Sequence, residues 1–282
     1  MTTDIPHVVT DSTADLPADL ARRLDITVIP CQIHFGSKTY REGVDIDRAE
    51  FYARLRAGER FTTSQPPVGA FVDVYRRLLE DGRPIVSVHI SGALSGVYGT
   101  AVIGAREVAP DRIAVIDGNQ VSMCTGWLAV EAAEAAKAGA NLADVTTLAQ
   151  ALLPRLRLLA LIDNLQYLQR SGRVSWASSL LGGLLSIKPL LSVRDGHAEL
   201  LEKVRLRSRG LDRLVALAAQ LAPFRRLAVL HADALDVAQI LAARLSHLLA
   251  PEDILVAEAG TIISGHAGPG AVGVACLSAG SL

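Results

Sequence analysis

Short runs of β-branched and aliphatic residues alternate with longer stretches carrying apolar side chains at helical spacing through the first half of the chain. Residues 7–11 (HVVTD), 26–33, 84–90 (PIVSVHI) and 112–117 (RIAVID) read as strands buried on both sides. Residues 18–24, 48–57, 68–80, 95–108 and 121–138 read as helices. Strand and helix in alternation predict a mostly parallel sheet flanked by helices. Asp47, with Glu50 three residues on, has the capping-box pattern for the helix it precedes.

The pattern changes after an aliphatic run at residues 158–162. Residues 164–170 predict a short helix broken by Ser171-Gly172-Arg173, and residues 175–185 predict an apolar, small-residue helix ending before Lys188-Pro189. Asp195-Gly196 sits between two strand-like runs and predicts a hairpin over 190–205. Residues 211–221, 227–231, 237–249, 254–257 and a final strand at 272–277 restore the helix–strand rhythm. At 282 residues, two α/β domains are expected. The first, residues 1–163, holds the mostly parallel sheet, and a smaller second one, residues 164–282, holds the hairpin.

Composition narrows the picture. Half of the residues are hydrophobic but only 4% are aromatic, and the mean hydropathy is +0.31, so the core must be aliphatic and disorder is excluded. Twenty-eight basic and twenty-nine acidic residues leave no global basic field for nucleic acid. Residues 155–209 depart from that balance, with ten Lys or Arg against four Asp or Glu. That excess is either a solvated hairpin edge or a docking surface for an acidic or phosphorylated partner. Cys31, Cys124 and Cys276 are far apart and form no C-x-x-C pair, which argues against a disulfide framework or zinc site and suits a reducing cytosol. The opening MTTDIPHVVTDS lacks the basic and apolar regions of a signal peptide, and the most apolar stretch, residues 174–187, is shorter than the ~20 residues of a spanning helix. A cytoplasmic protein with no stable membrane anchor is expected.

Gly268-Pro269-Gly270-Ala271-Val272-Gly273 fits G-x-G-x-x-G literally, but no acidic residue follows it and Pro269 removes a backbone donor, so a dinucleotide site is not expected. Ser91-Gly92-Ala93-Leu94-Ser95-Gly96 offers glycines at the wrong offsets for a nucleophile elbow. The seven histidines form no metal-binding spacing. Two hydroxyl clusters carry more information. Thr62-Thr63-Ser64 lies just before a proline-initiated helix, with Ser64 or Gln65 expected near its N-cap, and Ser91–Ser95 lies where a strand ends and a helix begins. In an open parallel sheet, ligands bind outside the carboxyl ends of strands. Both clusters could therefore offer hydroxyls and free backbone N–H groups to one anion, or each could merely cap its own helix. With no Lys or Asp beside them, they suit a group that is bound rather than transformed.

Asp11-Ser12-Thr13-Ala14-Asp15-Leu16-Pro17 resembles the opening signature of the bacterial DegV family. YREGVD at 40–45, TSQP at 63–66, SGALSGVY at 91–98, LQYLQRSGRVS at 165–175, IKPL at 187–190 and HAGPG at 266–270 match further hallmarks in order along nearly the whole chain. Ser171 departs from the pattern, standing where the family usually has glycine.

The resemblance implies a non-catalytic protein that holds one long-chain fatty acid, such as hexadecanoate, between two α/β domains. It implies no other cofactor and no metal. Some members are the acyl-carrying subunit of a fatty acid kinase, presenting the carboxylate for phosphorylation. Carried onto this sequence, the carboxylate contacts fall on Thr63 and Ser95, with Thr62, Ser64, Ser91 and His266 as supporting groups. Burial of a methylene contributes about 0.8 kcal/mol, so a sixteen-carbon tail offers on the order of 10 kcal/mol before ordering costs. Residues 180–185 (LLGGLL) are expected either to wall the tail or to be ordinary close packing. Arg170, Arg173, Arg205 and Arg207 are the expected docking residues for the kinase. The alternative is a hydrolase or transferase on a small acylated or phosphorylated substrate, with Ser95 as nucleophile and His266 as base, although no carboxylate is evidently placed to orient that histidine.

Overall fold

A computed structural model describes residues 4–174, 177 and 187–280. The chain divides into two compact units, Met1–Leu153 and Pro154–Leu282. The division falls about ten residues before the expected position, because the strand that opens at Leu156 belongs to the second unit's sheet.

The first unit is built on a parallel sheet. Strands β1 (His7–Asp11), β2 (Ile26–Ile29), β6 (Ile85–His89) and β7 (Ile113–Asp117) stand in the order β2-β1-β6-β7, all parallel. Every residue of β6 is buried, as its apolar run requires. Helices α3 (Val68–Leu79) and α4 (Val97–Val108) pack on one another and on β6, while α5 (Met123–Lys137) packs with α6 (Leu142–Leu152) and against β1. Helix α1 (Ala18–Leu24) also rests on α5. The chain passes from β1 out to β2, then returns across β1 to β6. The strand order therefore reverses between β1 and β6, where open α/β sheets carry their ligand crevice.

An insertion between β2 and α3 was not foreseen. The run at 26–33 is two strands rather than one: Pro30-Cys31 ends β2, and β3 (Gln32–Phe35) enters a separate antiparallel sheet. That sheet has the order β4-β3-β5, with β4 at Lys38–Arg41 and β5 at Phe61–Ser64. Helix α2 (Arg48–Arg56) lies between β4 and β5 in sequence, with Asp47 accepting from Glu50 N at 2.8 Å as its N-cap. Phe35, Phe51 and Phe61 meet edge-on or tilted as the small sheet's core.

The second unit has a six-stranded mixed sheet. Strands β8 (Leu156–Leu161), β9 (Lys188–Arg194), β10 (His197–Val204), β11 (Phe224–His231), β12 (Ile254–Glu258) and β13 (Val272–Ser278) stand in the order β10-β9-β8-β13-β11-β12. Only β11 and β12 run parallel. The expected hairpin joins β9 to β10 through Asp195 and Gly196, both at positive φ (47° and 81°), as its two-residue turn demands. Helices α8 (Arg207–Ala219) and α9 (Leu235–Leu245) bury Leu214, Leu241 and Leu245 against Leu159, Leu227 and Val274 of the sheet. Two short helices, α7 (Leu165–Ser171) and α10 (Thr261–Ala267), pack against each other.

Candidate functional site

Two polar residues end the strands that flank the order reversal. Asp11 closes β1 and His89 closes β6, both fully buried, with Asp11 Oδ2 2.9 Å from His89 Nδ1. His89 Nε2 lies 2.7 Å from Ser87 Oγ, which lies 2.8 Å from Tyr75 OH, so a polar chain runs through an otherwise apolar layer. Burial by itself would raise the Asp11 pKa. The His89 hydrogen bond and charge, Thr13 and the Ile90 N–H outweigh it and hold the carboxyl below its ordinary value. The order Asp11–His89–Ser87 imitates a hydrolytic triad, but Ser87 is buried in mid-strand and already bonded to Tyr75, so no substrate reaches it. Sequence reading missed this pair. The available signal was a polar residue at the carboxyl end of two apolar strands.

The loop after β6 carries the second hydroxyl cluster. Ser91 is buried: its N–H donates to Gln120 O, and its hydroxyl accepts from Ala93 N at 3.2 Å. Its carbonyl accepts from both Leu94 N and Ser95 N at 3.0 Å, which coils the segment. Gly92 N donates to the Asp117 carboxylate, tying the loop to the end of β7. Half-buried Ser95 accepts a 3.5 Å bond from Val97 N and, among the described residues, donates to nothing. Helix α4 starts two residues on, with Gly96 at its N-cap and no side-chain cap, so its first amides have no intrahelical partner.

Strand alternation separates the first cluster. Thr63 pairs with Ile33, which is fully buried, and shares its face of the small sheet. Thr62 and Ser64 lie on the opposite face, where Thr62 is exposed and Ser64 Oγ sits 2.8 Å from His34 Nε2 and donates to Gln32 Oε1 at 3.2 Å. The expected capping role does not hold: α3 begins after Pro67 with no side-chain cap, and the three hydroxyls are strand residues. The residues that follow the two clusters touch. A β-carbon on Gly96 would stand 3.0–3.1 Å from the Gln65 side-chain amide, so the residue after β5 packs directly on the residue after Ser95.

In the second unit, His266 lies on α10 and is half-buried. Burial, assisted by the Arg173 charge, pulls its pKa down to about 4, leaving a neutral imidazole that is a weak base at neutral pH. Lys188 Nζ donates to Asp163 Oδ1 at 2.7 Å, and Arg207 stands 3.7 Å from the same oxygen while donating to Gly270 O at 2.7 Å. Gly268 fits against Tyr167, where a β-carbon would come within 2.5 Å of the ring. The IKPL, LQYLQ and HAGPG segments therefore converge on one loop. Arg207 braces that loop, whereas Arg170, Arg173 and Arg205 are exposed. Residues 180–185 lie outside the described residues. Among the described residues, no three His, Cys, Asp or Glu are grouped to hold a metal, and no helix is long and apolar enough to cross a membrane.

Residues 6–279 match the family described as "Uncharacterised protein, DegV family". The chain belongs to the DegV family. A DegV domain-containing protein of Streptomyces coelicolor is 38% identical over 275 residues, covering 96% of this chain and 98% of its own. Among solved DegV structures, one described as showing fatty acid binding of a DegV family protein from Thermus thermophilus superposes with a TM-score of 0.89 at 32% identity, covering 96% of this chain and 98% of that one. Bacillus subtilis DegV, described as a fatty acid-binding protein, gives 0.84 at 32% identity with the same coverage. The α/β architecture is thus the DegV fold.

Proposed function

We propose that this protein binds one long-chain fatty acid and presents its carboxylate to a fatty acid kinase. Thr63 and Ser95 hydrogen-bond the carboxylate, the first amides of α4 add neutral donors, and Ser91 shapes the turn that holds Ser95. The observation that carries this reading is Gln65 packed on Gly96, in a chain whose solved relatives are described as fatty acid-binding. That contact joins the strand end bearing Thr63 to the turn bearing Ser95 at the carboxyl edge of the parallel sheet. Neutral hydroxyls orient a carboxylate without neutralising it, which leaves its oxygens nucleophilic toward a phosphoryl donor. Arg170, Arg173 and Arg205 are exposed in the basic segment and form the docking surface for the kinase, with Arg207 holding the neighbouring glycine loop. The buried thiols of Cys31, Cys124 and Cys276 suit a cytoplasmic setting.

Solvent extraction of the purified protein, with the extract weighed by mass spectrometry, tests the binding claim. About one equivalent of fatty acid is expected. An empty protein that turns over an acyl ester contradicts it and favours the Ser95–His266 hydrolase.

A further inference from the structure

The segment from Asp11 to Asp15 ties together the loops at the carboxyl edge of the sheet. Asp11 Oδ2 accepts from Ile90 N at 3.2 Å and meets His89 Nδ1, which anchors the base of the loop running to Ser95. Asp11 Oδ1 accepts from Thr13 N, and the Thr13 hydroxyl donates to it as well. Thr13 O accepts from Ser122 N, and Ser122 Oγ donates to Asp15, fixing the loop after β7. Ser122 holds a left-handed φ of 58°, a conformation that its neighbours must impose. The loop after β7 in turn receives Ser91 N through Gln120 O. The Ser91–Ser95 turn is thus gripped from two sides by contacts that begin at the last residue of β1 and the four residues that follow it.

We infer that Asp11, acting through His89 and the Ile90 N–H, is a positioning residue that sets the Ser91–Ser95 turn so that Ser95 and the α4 amides point at the carboxylate. The inference rests on the head-group reading proposed above. A carboxylate can accept the Ile90 N–H, the His89 ring N–H and the Thr13 donors together, because it offers about four lone-pair sites. An amide replaces two of those with a donor. Asp11→Asn therefore turns at least one attractive contact into a repulsive one with little change of volume.

The test measures retention of hexadecanoic acid against its methyl ester, which has the same tail and no carboxylate. The unmodified protein should prefer the acid, Asp11→Asn should lower that preference roughly tenfold, and Ser87→Ala should keep it while costing stability at the far end of the polar chain. Two substitutions at His89 carry the same test if Asp11→Asn does not fold. The amide nitrogen of Asn in His89→Asn falls near the Nδ1 position and can still reach Asp11, whereas that of Gln in His89→Gln falls near Nε2 and cannot. His89→Asn should retain the preference and His89→Gln should lose it. An unmodified protein that holds acid and ester equally overturns the head-group reading and this inference with it. A preference lost in Ser95→Ala but kept in Asp11→Asn overturns this inference alone, as does equal behaviour of the two His89 variants or loss of the preference in Ser87→Ala.

Discussion

The side-chain amide of Gln65 lies against the bare α-carbon of Gly96, so close that a β-carbon there would stand 3.0 Å from Nε2 and 3.1 Å from Cδ. The Gly96 backbone (φ −75°, ψ 0°) is open to any residue, so a substitution there reads the contact and not the conformation. Gln65 is exposed and its side chain can yield. Gly96→Ala is expected to change stability by no more than about 0.5 kcal/mol and to weaken fatty acid retention by no more than about twofold, because the Gln65 amide moves aside and leaves the strand end carrying Thr63 in place. Thermal melts and retained lipid, measured on one preparation, separate the two effects.

Hydroxyl deletions should divide by strand face. Thr63→Ala and Ser95→Ala are each expected to cost roughly 1.5–3 kcal/mol of fatty acid binding, the range for a hydrogen bond to a charged group, without unfolding the protein. Thr62→Ala, on the exposed face, should leave binding unchanged. Ser64→Ala removes partners from His34 and Gln32 and should lower stability slightly without releasing lipid. Dissociation rates of a fluorescent fatty acid across the four variants check this ordering.

How much of this was legible in the sequence depends on the range of the signal. The first strand and first helix fall where the pattern puts them, His7–Asp11 and Ala18–Leu24, because one is centred on the β-branched run Val8-Val9-Thr10 and the other ends at Asp25 in a left-handed cap. The small antiparallel sheet was hidden. Its strands are four residues long, two of them polar, and nothing local shows that Pro30 sends the chain from one sheet into another. Helices α6 and α10 were also passed over. The second is a single short element rich in Thr, Ile, Ser and Gly, all poor helix formers. The hydroxyl clusters were visible as residue types, but which side of the strand Thr63 occupies became visible only once its pairing with Ile33 was known. Asp11 and His89 are 78 positions apart and meet only because β1 and β6 are neighbours. No periodicity carries that information.

The acid limb of stability should report on His266. Burial, with Arg173 adding to it, lowers its folded pKa to about 4 from an ordinary 6.5, so the unfolded chain binds the extra proton first. Stability then falls as pH drops from 6.5 toward 4, by up to about 3 kcal/mol, and changes little from this source above 6.5. His266→Gln, neutral throughout, should show a flatter profile in that window. Urea titrations at half-unit pH steps give the comparison, and an unchanged slope would mean that His266 is not the titrating group.

Charge reversal should separate docking from binding. Arg173→Glu together with Arg205→Glu is expected to abolish most acyl phosphate formation in the presence of a fatty acid kinase while leaving the bound lipid in place, because both side chains are exposed. Unchanged phosphorylation would remove the basic segment from the account.

Native mass spectrometry of the untreated protein beside the Thr63→Ala/Ser95→Ala double variant reads the account most directly, since it reports occupancy and ligand mass together. The wild-type chain should carry a single added mass equal to one long-chain fatty acid, and the double variant should be largely empty yet folded. A wild-type protein that flies without lipid, or a double variant as fully loaded as its parent, would contradict the claim that these two hydroxyls hold an acyl carboxylate.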